Sequence, residues 1–259
     1  MIQRPFSWRG WLLAALIGAM TLTMVGLGFW QLDRMRQRQA QNDHITTRLS
    51  AAPIDLNEAP ASNLPEYQPV RLRGTYDFSQ EIVLRNRARQ GSPGVHVLTP
   101  LRLAGSEQAV LVDRGWIPYD QAEPADRAEY QWPAGEITIE GIVRPPQTRE
   151  SAFLPADPTL SPDLPRVDAW FRVDLAQIQD QVPYSLLSYY VEAGPGADPQ
   201  RLPLSGYEVD LSPGPHLGYA IQWFAFAAIL AVGSLAVARQ RNRKSTQTFP
   251  PPPPRDPLA

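Results

Sequence analysis

The sequence predicts a membrane protein in which two transmembrane helices flank a mainly antiparallel β domain, barrel- or sandwich-like and of α+β type. Three observations predict this architecture. Residues 10–32 and residues 217–238 carry no charged side chain, and a helix of either length reaches across roughly 30 Å of hydrocarbon. Between them, short stretches alternate apolar and polar side chains with the period of two that is typical of strands.

The first apolar run, residues 10–32, predicts an uncleaved membrane anchor. It follows a short basic N-terminus, residues 1–9, which contains Arg4 and Arg9. A cleavable signal peptide is the alternative, but such a peptide has a shorter apolar region and a small-x-small exit. This run instead leaves through Phe29 and Trp30. The absence of a Ser- and Arg-rich transit peptide indicates a bacterial chain.

The second run, residues 216–238, ends at four basic residues, Arg239, Arg241, Arg243 and Lys244. Basic residues concentrate on the cytoplasmic side of membrane helices. Both termini are therefore expected in the cytoplasm of a bacterial inner membrane, with residues 33–215 outside the cytoplasm. Residues 239–259 form a Pro-rich cytoplasmic tail in this prediction.

Small residues occur at helical spacing in both runs and suggest a close contact between the two helices. On the second helix the stripe comprises His216, Ala220, Trp223, Ala227, Ala231 and Ser234. On the first helix it comprises Ala15, Ala19, Thr23, Gly26 and Trp30. The alternative, that these small residues face lipid beside an interfacial aromatic belt, is equally compatible with the sequence.

The intervening chain is assigned in order. Residues 31–50 continue the first helix, residues 51–69 form a Pro-rich linker and residues 148–166 form a Pro-rich loop. Residues 175–182 form a short helix that Asp174 caps. The alternation predicts strands at residues 70–76, 81–85, 95–99, 109–113, 136–144, 170–174, 189–192 and 207–211. Short strands separated by turns favour an antiparallel barrel or sandwich.

Composition excludes several classes of chemistry. The chain has no cysteine, so disulfides, thiolate zinc sites, iron–sulfur clusters and thioether-linked haem are excluded. The net charge of −2 with dispersed basic residues indicates no nucleic-acid partner. Nucleophile-elbow, Walker A, H-E-x-x-H and dinucleotide-binding motifs are absent, so no catalytic residue is assigned. A hydrolase with two converging carboxylates stays open as an alternative.

Two places in the sequence stand out as candidate sites. Asp113 and Arg114 are neighbours on one strand, so one of them faces inward, where a structural ion pair is the simplest explanation. His216 stands at the mouth of the second apolar helix beside aromatic residues, where a neutral imidazole can ligate haem iron. An ordinary interfacial histidine is the alternative there. No role is assigned to His44 or His96.

With those residues in view, the sequence resembles the surfeit locus protein 1 family of assembly factors for haem-copper cytochrome oxidase. The resemblance extends from the first apolar run to the second. It is carried by six stretches in order: Phe29–Arg34, Gly74–Phe78, Gly94–Leu101, Val110–Pro118, Glu140–Arg144 and His216–Phe224. It implies two transmembrane helices around an extracytoplasmic domain.

The resemblance also implies a function and a site. It implies a non-enzymatic factor that binds haem a and assists its insertion into oxidase subunit I, in contact with haem a synthase. The family's histidine at the start of the second helix maps to His216, the expected axial ligand of the haem iron, with Trp223 and Trp30 as expected packing residues. The alternative is a membrane scaffold that stabilises subunit I without binding haem.

Overall fold

The computed structural model describes residues 8–58, 63–149, 151, 153, 155–207 and 209–246, with side chains as far as residue 240. The predicted Pro-rich tail beyond Thr246 lies outside these residues. The chain forms two compact units. One contains residues 1–43 and 211–259, and the other contains residues His44–Asp210.

Two long helices dominate the first unit. Helix α1 spans Trp8–Leu49 and helix α4 spans His216–Thr246. Both are long and apolar enough to cross a membrane, and their large apolar side chains are mostly exposed. An exposed apolar surface of this extent suits lipid rather than water. The continuation of the first helix beyond residue 32 is confirmed, since α1 runs to Leu49 as one element of about 60 Å.

The two helices run antiparallel and contact each other at several levels. The ring of Phe224 lies over Gly28, where an added Cβ would stand 2.6 Å from Cε1 of the ring. The same ring meets Phe29 edge to face at 5.3 Å. Glycine lets a neighbouring side chain approach the helix backbone closely. The contact between Gly28 and Phe224 therefore helps to fix how α1 and α4 are aligned along each other.

The predicted contact face is confirmed in part on α4, where Ala231 is exposed, whereas the predicted stripe on α1 is exposed, as the alternative expected. Ala220 and Ala227 are buried and Trp223 is half-buried. On α1 the predicted stripe is exposed along its whole length, whereas Gly28 is buried. The exposed stripe comprises Ala15, Ala19, Thr23, Gly26 and Trp30. Small residues occur on more than one face of α1, and spacing alone does not identify the face that receives a partner.

The second unit is built on one sheet of eight strands. The strands are β1 Ile54–Asp55, β2 Pro69–Tyr76, β3 Ile82–Arg89, β4 Ser92–Leu103, β5 Ala109–Pro118, β6 Glu136–Arg144, β7 Ala169–Trp170 and β8 Leu186–Ala193. Their order is β1-β2-β6-β8-β5-β4-β3-β7, and β2 also pairs with β4. This extra pairing closes β2, β6, β8, β5 and β4 into a ring, so the predicted mainly antiparallel barrel is confirmed.

The barrel interior is apolar and continuous. It contains Val70, Leu72, Leu101, Val112 and Val191, all essentially without exposed surface. A second apolar cluster lies on the outer face of the sheet around Trp170, where helix α3, Leu175–Gln179, covers it. Asp174 caps α3 by accepting from the backbone N–H of Gln177, as predicted. A further short helix, α2, spans Pro124–Arg127.

Two strand predictions differ from the structure. Residues 170–174 contribute only the end of the two-residue strand β7 before the chain bends. The described residues of 207–211 form no strand, and Glu208 lies outside the described residues. Tyr207 and Leu211 are exposed. A sequence that alternates apolar and polar residues therefore does not form a strand where the segment has no neighbouring strand to pair with.

The closing pair of the barrel generates a stability prediction. Gly74 pairs with Ile137 on β6 and with Leu103 on β4, and a Cβ at this position would lie 2.1 Å from the carbonyl oxygen of Arg102. We expect Gly74→Ala to lower the free energy of unfolding of the β unit by about 1–3 kcal/mol, because one of the two strands must move away. The measurement is urea unfolding of the full chain in detergent, followed by near-ultraviolet circular dichroism.

Thr75→Ala is the matched control for this prediction, because Thr75 is the exposed neighbour on the same strand. Its unfolding curve should stay close to that of the wild type. Equal unfolding midpoints for Gly74→Ala and the wild type would contradict the closure of the barrel at Gly74.

Candidate functional site

His216 lies at the first residue of α4, after the turn Pro213-Gly214-Pro215. Its imidazole is half-buried. The Nδ1 atom of the ring lies 2.9 Å from the side-chain oxygen Oε1 of Gln31 on α1. An amide oxygen can only accept a hydrogen bond, so the contact requires a proton on Nδ1 of His216.

This contact determines which ring nitrogen is available to a ligand. A neutral imidazole with its proton on Nδ1 keeps a lone pair on Nε2. Among the described residues, Gln31 is the one that bonds the ring. Gly214 lies beside the free edge, where a Cβ would stand 3.4 Å from Nε2 and 3.2 Å from Cδ2. The absence of a side chain at position 214 therefore leaves space next to Nε2.

The segment that leads into His216 is also attached to α1. The side-chain amide nitrogen of Asn42 donates to the carbonyl oxygens of Leu211, at 2.6 Å, and Ser212, at 3.2 Å. The Nε atom of Arg38 donates to the same Ser212 carbonyl at 3.3 Å. These bonds hold the start of α4 against the polar end of α1. The position of His216 is therefore fixed by its own contact with Gln31 and by the bonds to the residues before the turn.

The two predicted packing residues have other neighbours in the structure. Trp30 is 51% exposed, and the guanidinium carbon of Arg34 lies 5.6 Å from the centre of its ring. The ring of Trp223 is half-buried and meets Phe226 at 6.2 Å. The structure therefore joins His216 to Gln31, and the packing of haem by Trp30 and Trp223 stays a prediction.

The residues at this position fit an axial haem ligand. One nitrogen of the imidazole is bonded to an acceptor on α1 and the other is left for a metal, which is the usual arrangement of metal-ligating histidines. Gly214 leaves an edge that a side chain would fill. Among the described residues, no group of three or more His, Asp or Glu side chains is arranged to hold a free metal ion.

A second polar centre lies inside the barrel of the β unit. The guanidinium of Arg114 on β5 is 5% exposed, and its Nη1 donates to Oε2 of Glu81 at 3.0 Å. Its Nη2 donates to the backbone carbonyls of Tyr130 and Trp132. Thr99 donates to the same Glu81 oxygen at 2.8 Å. The inward residue of the Asp113–Arg114 pair is thus Arg114, in a structural ion pair.

Aromatic rings and a second arginine complete this centre. The guanidinium carbon of Arg114 lies 5.0 Å from the ring centre of Tyr76 and 5.1 Å from that of Phe78. Arg127, only 3% exposed, lies 4.0 Å from the other oxygen of Glu81 and also pairs with Asp168. Burial raises the pKa of the Glu81 carboxyl, while Thr99 and the two arginines act against that shift.

A cavity of about 820 Å³ opens beside this centre. Arg114, Tyr76, Trp132 and Tyr207 contribute to its wall. Burial raises the pKa of Tyr76 to about 12, so its hydroxyl is neutral at physiological pH. The hydrogen bonds of Arg114 are made to Glu81 and to backbone carbonyls, which leaves its charge balanced within the protein.

Asp113 faces the other side of β5 and pairs with His96 on β4. Nδ1 of His96 lies 2.8 Å from Oδ2 of Asp113, and the backbone N–H of Gly115 donates to Oδ1. Burial lowers the pKa of His96, but the attraction and hydrogen bond of Asp113 outweigh it, and the pKa is raised overall. His96 is therefore a hydrogen-bonded, partly buried residue.

Comparison with known proteins places this arrangement in a family. The model described as the SURF1 family matches residues 18–228, a range that includes both Gln31 and His216. The chain belongs to the SURF1 family. This confirms the resemblance carried by the six sequence stretches.

Individual relatives match most of the chain. A SURF1-like protein of Monosiga brevicollis is 31% identical over 257 residues, which cover 94% of each chain. Surfeit locus protein 1 of Takifugu rubripes is 30% identical over 226 residues, 80% of this chain and 88% of its own. Surfeit locus protein 1 of Homo sapiens is 28% identical over 227 residues, 80% of this chain and 71% of its own.

Reasoning from the sequence did not single out Gln31 or Glu81 in this SURF1-family chain. Gln31 stood within the stretch Phe29–Arg34, where a polar residue at the end of an apolar run is unremarkable. Glu81 was the first residue of a predicted strand. The partner of Gln31 lies 185 residues away, and the partner of Glu81 lies 33 residues away. Contacts between residues so far apart leave no local signal in the sequence.

The buried ion pair generates a second stability prediction. We expect Arg114→Met to lower the free energy of unfolding of the β unit by about 3–5 kcal/mol, because it leaves the Glu81 carboxylate buried with fewer partners. Arg85→Met on β3 is the control, since Arg85 is exposed and makes a ring contact with Phe171. Urea unfolding of the full chain in detergent gives the measurement. Equal losses in the two variants would contradict the structural role of the Arg114 pair.

The His96–Asp113 pair generates a pH prediction. Because the pKa of folded His96 lies above the unfolded value of 6.5, the pair stabilises fully below that value and loses its effect as the pH rises through the folded pKa. We expect the difference in unfolding free energy between wild type and His96→Gln to be larger near about pH 6 than near about pH 8.5. Urea unfolding at both pH values measures it, with exposed His44→Gln as control. A difference that grows with pH would contradict the pairing.

Proposed function

We propose that this SURF1-family chain is a non-enzymatic assembly factor for haem-copper cytochrome c oxidase in a bacterial inner membrane. It receives haem a in contact with haem a synthase, holds it transiently on His216 and assists its insertion into subunit I. The observation that carries the proposal is the ring of His216. One nitrogen is bonded to Gln31, and the other lies next to the bare backbone of Gly214.

Haem bound here would supply an iron centre that takes imidazole nitrogen as an axial ligand. His216 would provide Nε2 and Gln31 would hold Nδ1. The expected neighbours are Trp223 and Trp30, whose rings offer flat apolar surface for a porphyrin. A single protein ligand on a half-exposed edge suits a cargo that must leave again.

The placement of the site at the beginning of α4 supports a cargo that comes from the bilayer. Leu217, Tyr219 and Ile221 follow His216 on α4 and are exposed apolar side chains. A porphyrin with a long apolar substituent is itself soluble in lipid. We propose the orientation in which residues 33–215 lie outside the cytoplasm, which puts His216 at the outer edge of the membrane.

The β unit supplies a rigid body for contact with subunit I in this proposal. Its closed barrel and buried Arg114 centre give it a defined surface, and no step of haem binding passes through it. A scaffold that stabilises subunit I without haem would use the same unit. The spectrum of the purified protein distinguishes the two functions.

We expect the detergent-purified wild type, produced together with haem a synthesis enzymes, to show a haem a absorption spectrum. His216→Ala should lose at least about nine-tenths of that absorbance, because the iron loses its axial nitrogen. Oxidase activity of the host membranes should fall in parallel.

His44→Ala is the matched control for this experiment. His44 is an exposed histidine on α1 that accepts a hydrogen bond from Arg48, and its replacement should leave the spectrum unchanged. If the wild type carries no haem a and His216→Ala still restores oxidase activity, the ligand role is wrong and the scaffold function replaces it.

A further inference from the structure

The hydrogen bond between Gln31 and His216 joins two polar side chains on otherwise apolar stretches of α1 and α4. Gln31 and His216 lie 185 residues apart in the sequence and meet at 2.9 Å where two apolar helices come together. Both side chains are half-buried. A polar contact at this depth restricts its members more than one in water, because fewer solvent molecules compete for the donor and the acceptor.

We propose that Gln31 is a positioning residue that holds the ring of His216 in the Nδ1-protonated form and thereby reserves Nε2 for an axial metal ligand. This inference rests on the proposed function and deepens it. It assigns a role to a residue that contacts the histidine and not the haem.

Hydrogen-bond chemistry carries the first step. The two nitrogens of a neutral imidazole exchange the roles of donor and acceptor, and the bond made by one decides the state of the other. Oε1 of Gln31 accepts from Nδ1, so the lone pair stays on Nε2. Glutamine remains uncharged across the physiological pH range, so unlike a carboxylate it adds no Coulombic attraction for an imidazolium, which has no free lone pair.

The packing around the bond carries the second step. Gly28 lies one turn before Gln31 on α1, and the Phe224 ring packed on it belongs to the same helix as His216. On the other side, Asn42 holds the carbonyl oxygens of Leu211 and Ser212, just before the turn into α4. These contacts lie before and after the Gln31–His216 pair along α1. They fix the two helices relative to each other, so the ring meets Gln31 without an ordering cost at the time of ligand binding.

The free edge of the ring carries the third step. Gly214 adopts φ +70°, and a Cβ at this position would lie 3.4 Å from Nε2. Glycine at position 214 therefore places no side-chain atom of its own beside the nitrogen that Gln31 leaves unprotonated. The bond on Nδ1 and the space at Nε2 favour the same use of the ring.

The first test reads the protonation of the ring without haem. The full-length chain, labelled with ¹⁵N-histidine in detergent micelles, contains only three histidines, and His216→Ala assigns the signal of interest. In the haem-free wild type we expect the ¹⁵N shifts of a ring protonated on Nδ1. Gln31→Leu removes the acceptor at similar size, and we expect its shifts to move toward a mixture of the two forms.

Two variants separate positioning from general stability. Gln31→Glu keeps an acceptor oxygen and should keep the proton on Nδ1. Gln37→Leu is the control on the same helix, since exposed Gln37 bonds to Asp33 and Arg34 of α1 itself, and its His216 signal should match the wild type. A merely structural role for Gln31 would lower helix stability without moving the proton of the ring.

The second test is a haemin titration of the same variants, followed by the absorbance of the bound form. We expect Gln31→Leu to bind haemin about 10- to 100-fold more weakly than wild type, since loss of the group that orients a ligating histidine has effects of this size. Gln31→Glu should recover most of the affinity, and Gln37→Leu should bind like the wild type.

The outcomes distinguish the inference from the function on which it rests. A wild-type ring protonated on Nε2, or unchanged shifts in Gln31→Leu, would overturn the role of Gln31 even if His216 binds haemin. If Gln31→Leu shifts the proton but no variant binds haemin, the control of the ring by Gln31 stands and the haem function fails. A shifted proton together with weakened haemin binding supports both.

Discussion

The β barrel encloses a charged group, the guanidinium of Arg114, and the surrounding structure is arranged to satisfy it. The residues that do so come from separate elements: Glu81 before β3, Thr99 on β4, and the backbone carbonyls of Tyr130 and Trp132. A buried charge without partners is far more costly than a buried ion pair. The segments around β3, β4 and β5 must therefore come together in one arrangement, and the cation enforces their relative position.

The helical unit must also provide partners for its polar groups, and it does so differently from the β unit. In α1 and α4 the backbone polar groups are satisfied along each helix, which is what a chain in lipid needs. Side-chain hydrogen bonds then join α1 to the start of α4 at specific points, which include Asn42 and Arg38 with the segment before α4 and Gln31 with His216. The Arg114 centre is matched with protein partners and serves stability. Among the described residues, the His216 ring is hydrogen-bonded through one nitrogen, and the second nitrogen is what the proposed cargo would use.

The buried Arg114 centre and the Gln31–His216 contact both lie within the range that matches the SURF1 family. The match over residues 18–228 includes the barrel and the parts of both helices that carry Gln31 and His216. In the proposed function, one oriented nitrogen held by the Gln31 amide beside the backbone of Gly214 is the group that would bind the haem iron.

The sequence by itself determined the two apolar helices, the course of α1 to Leu49 and the strand character of most of the domain. These features depend on local periodicity and length, which a chain carries wherever it lies. It also indicated His216, because a histidine at a helix mouth is visible without a structure. It did not identify Gln31, Glu81 or the buried face of α1.

Only the tertiary structure decided those points. The closure of the barrel depends on β2 pairing with both β6 and β4 at Gly74. The partners of Arg114 and His216 come from distant segments of the chain. The face of α1 that carries Gly28 is buried because the ring of Phe224 packs on it. Segment 207–211 alternates like a strand, yet its described residues form none. Local patterns specify which conformations a segment prefers, whereas pairing energies between distant segments select the partner, and those energies exist only once the chain has folded.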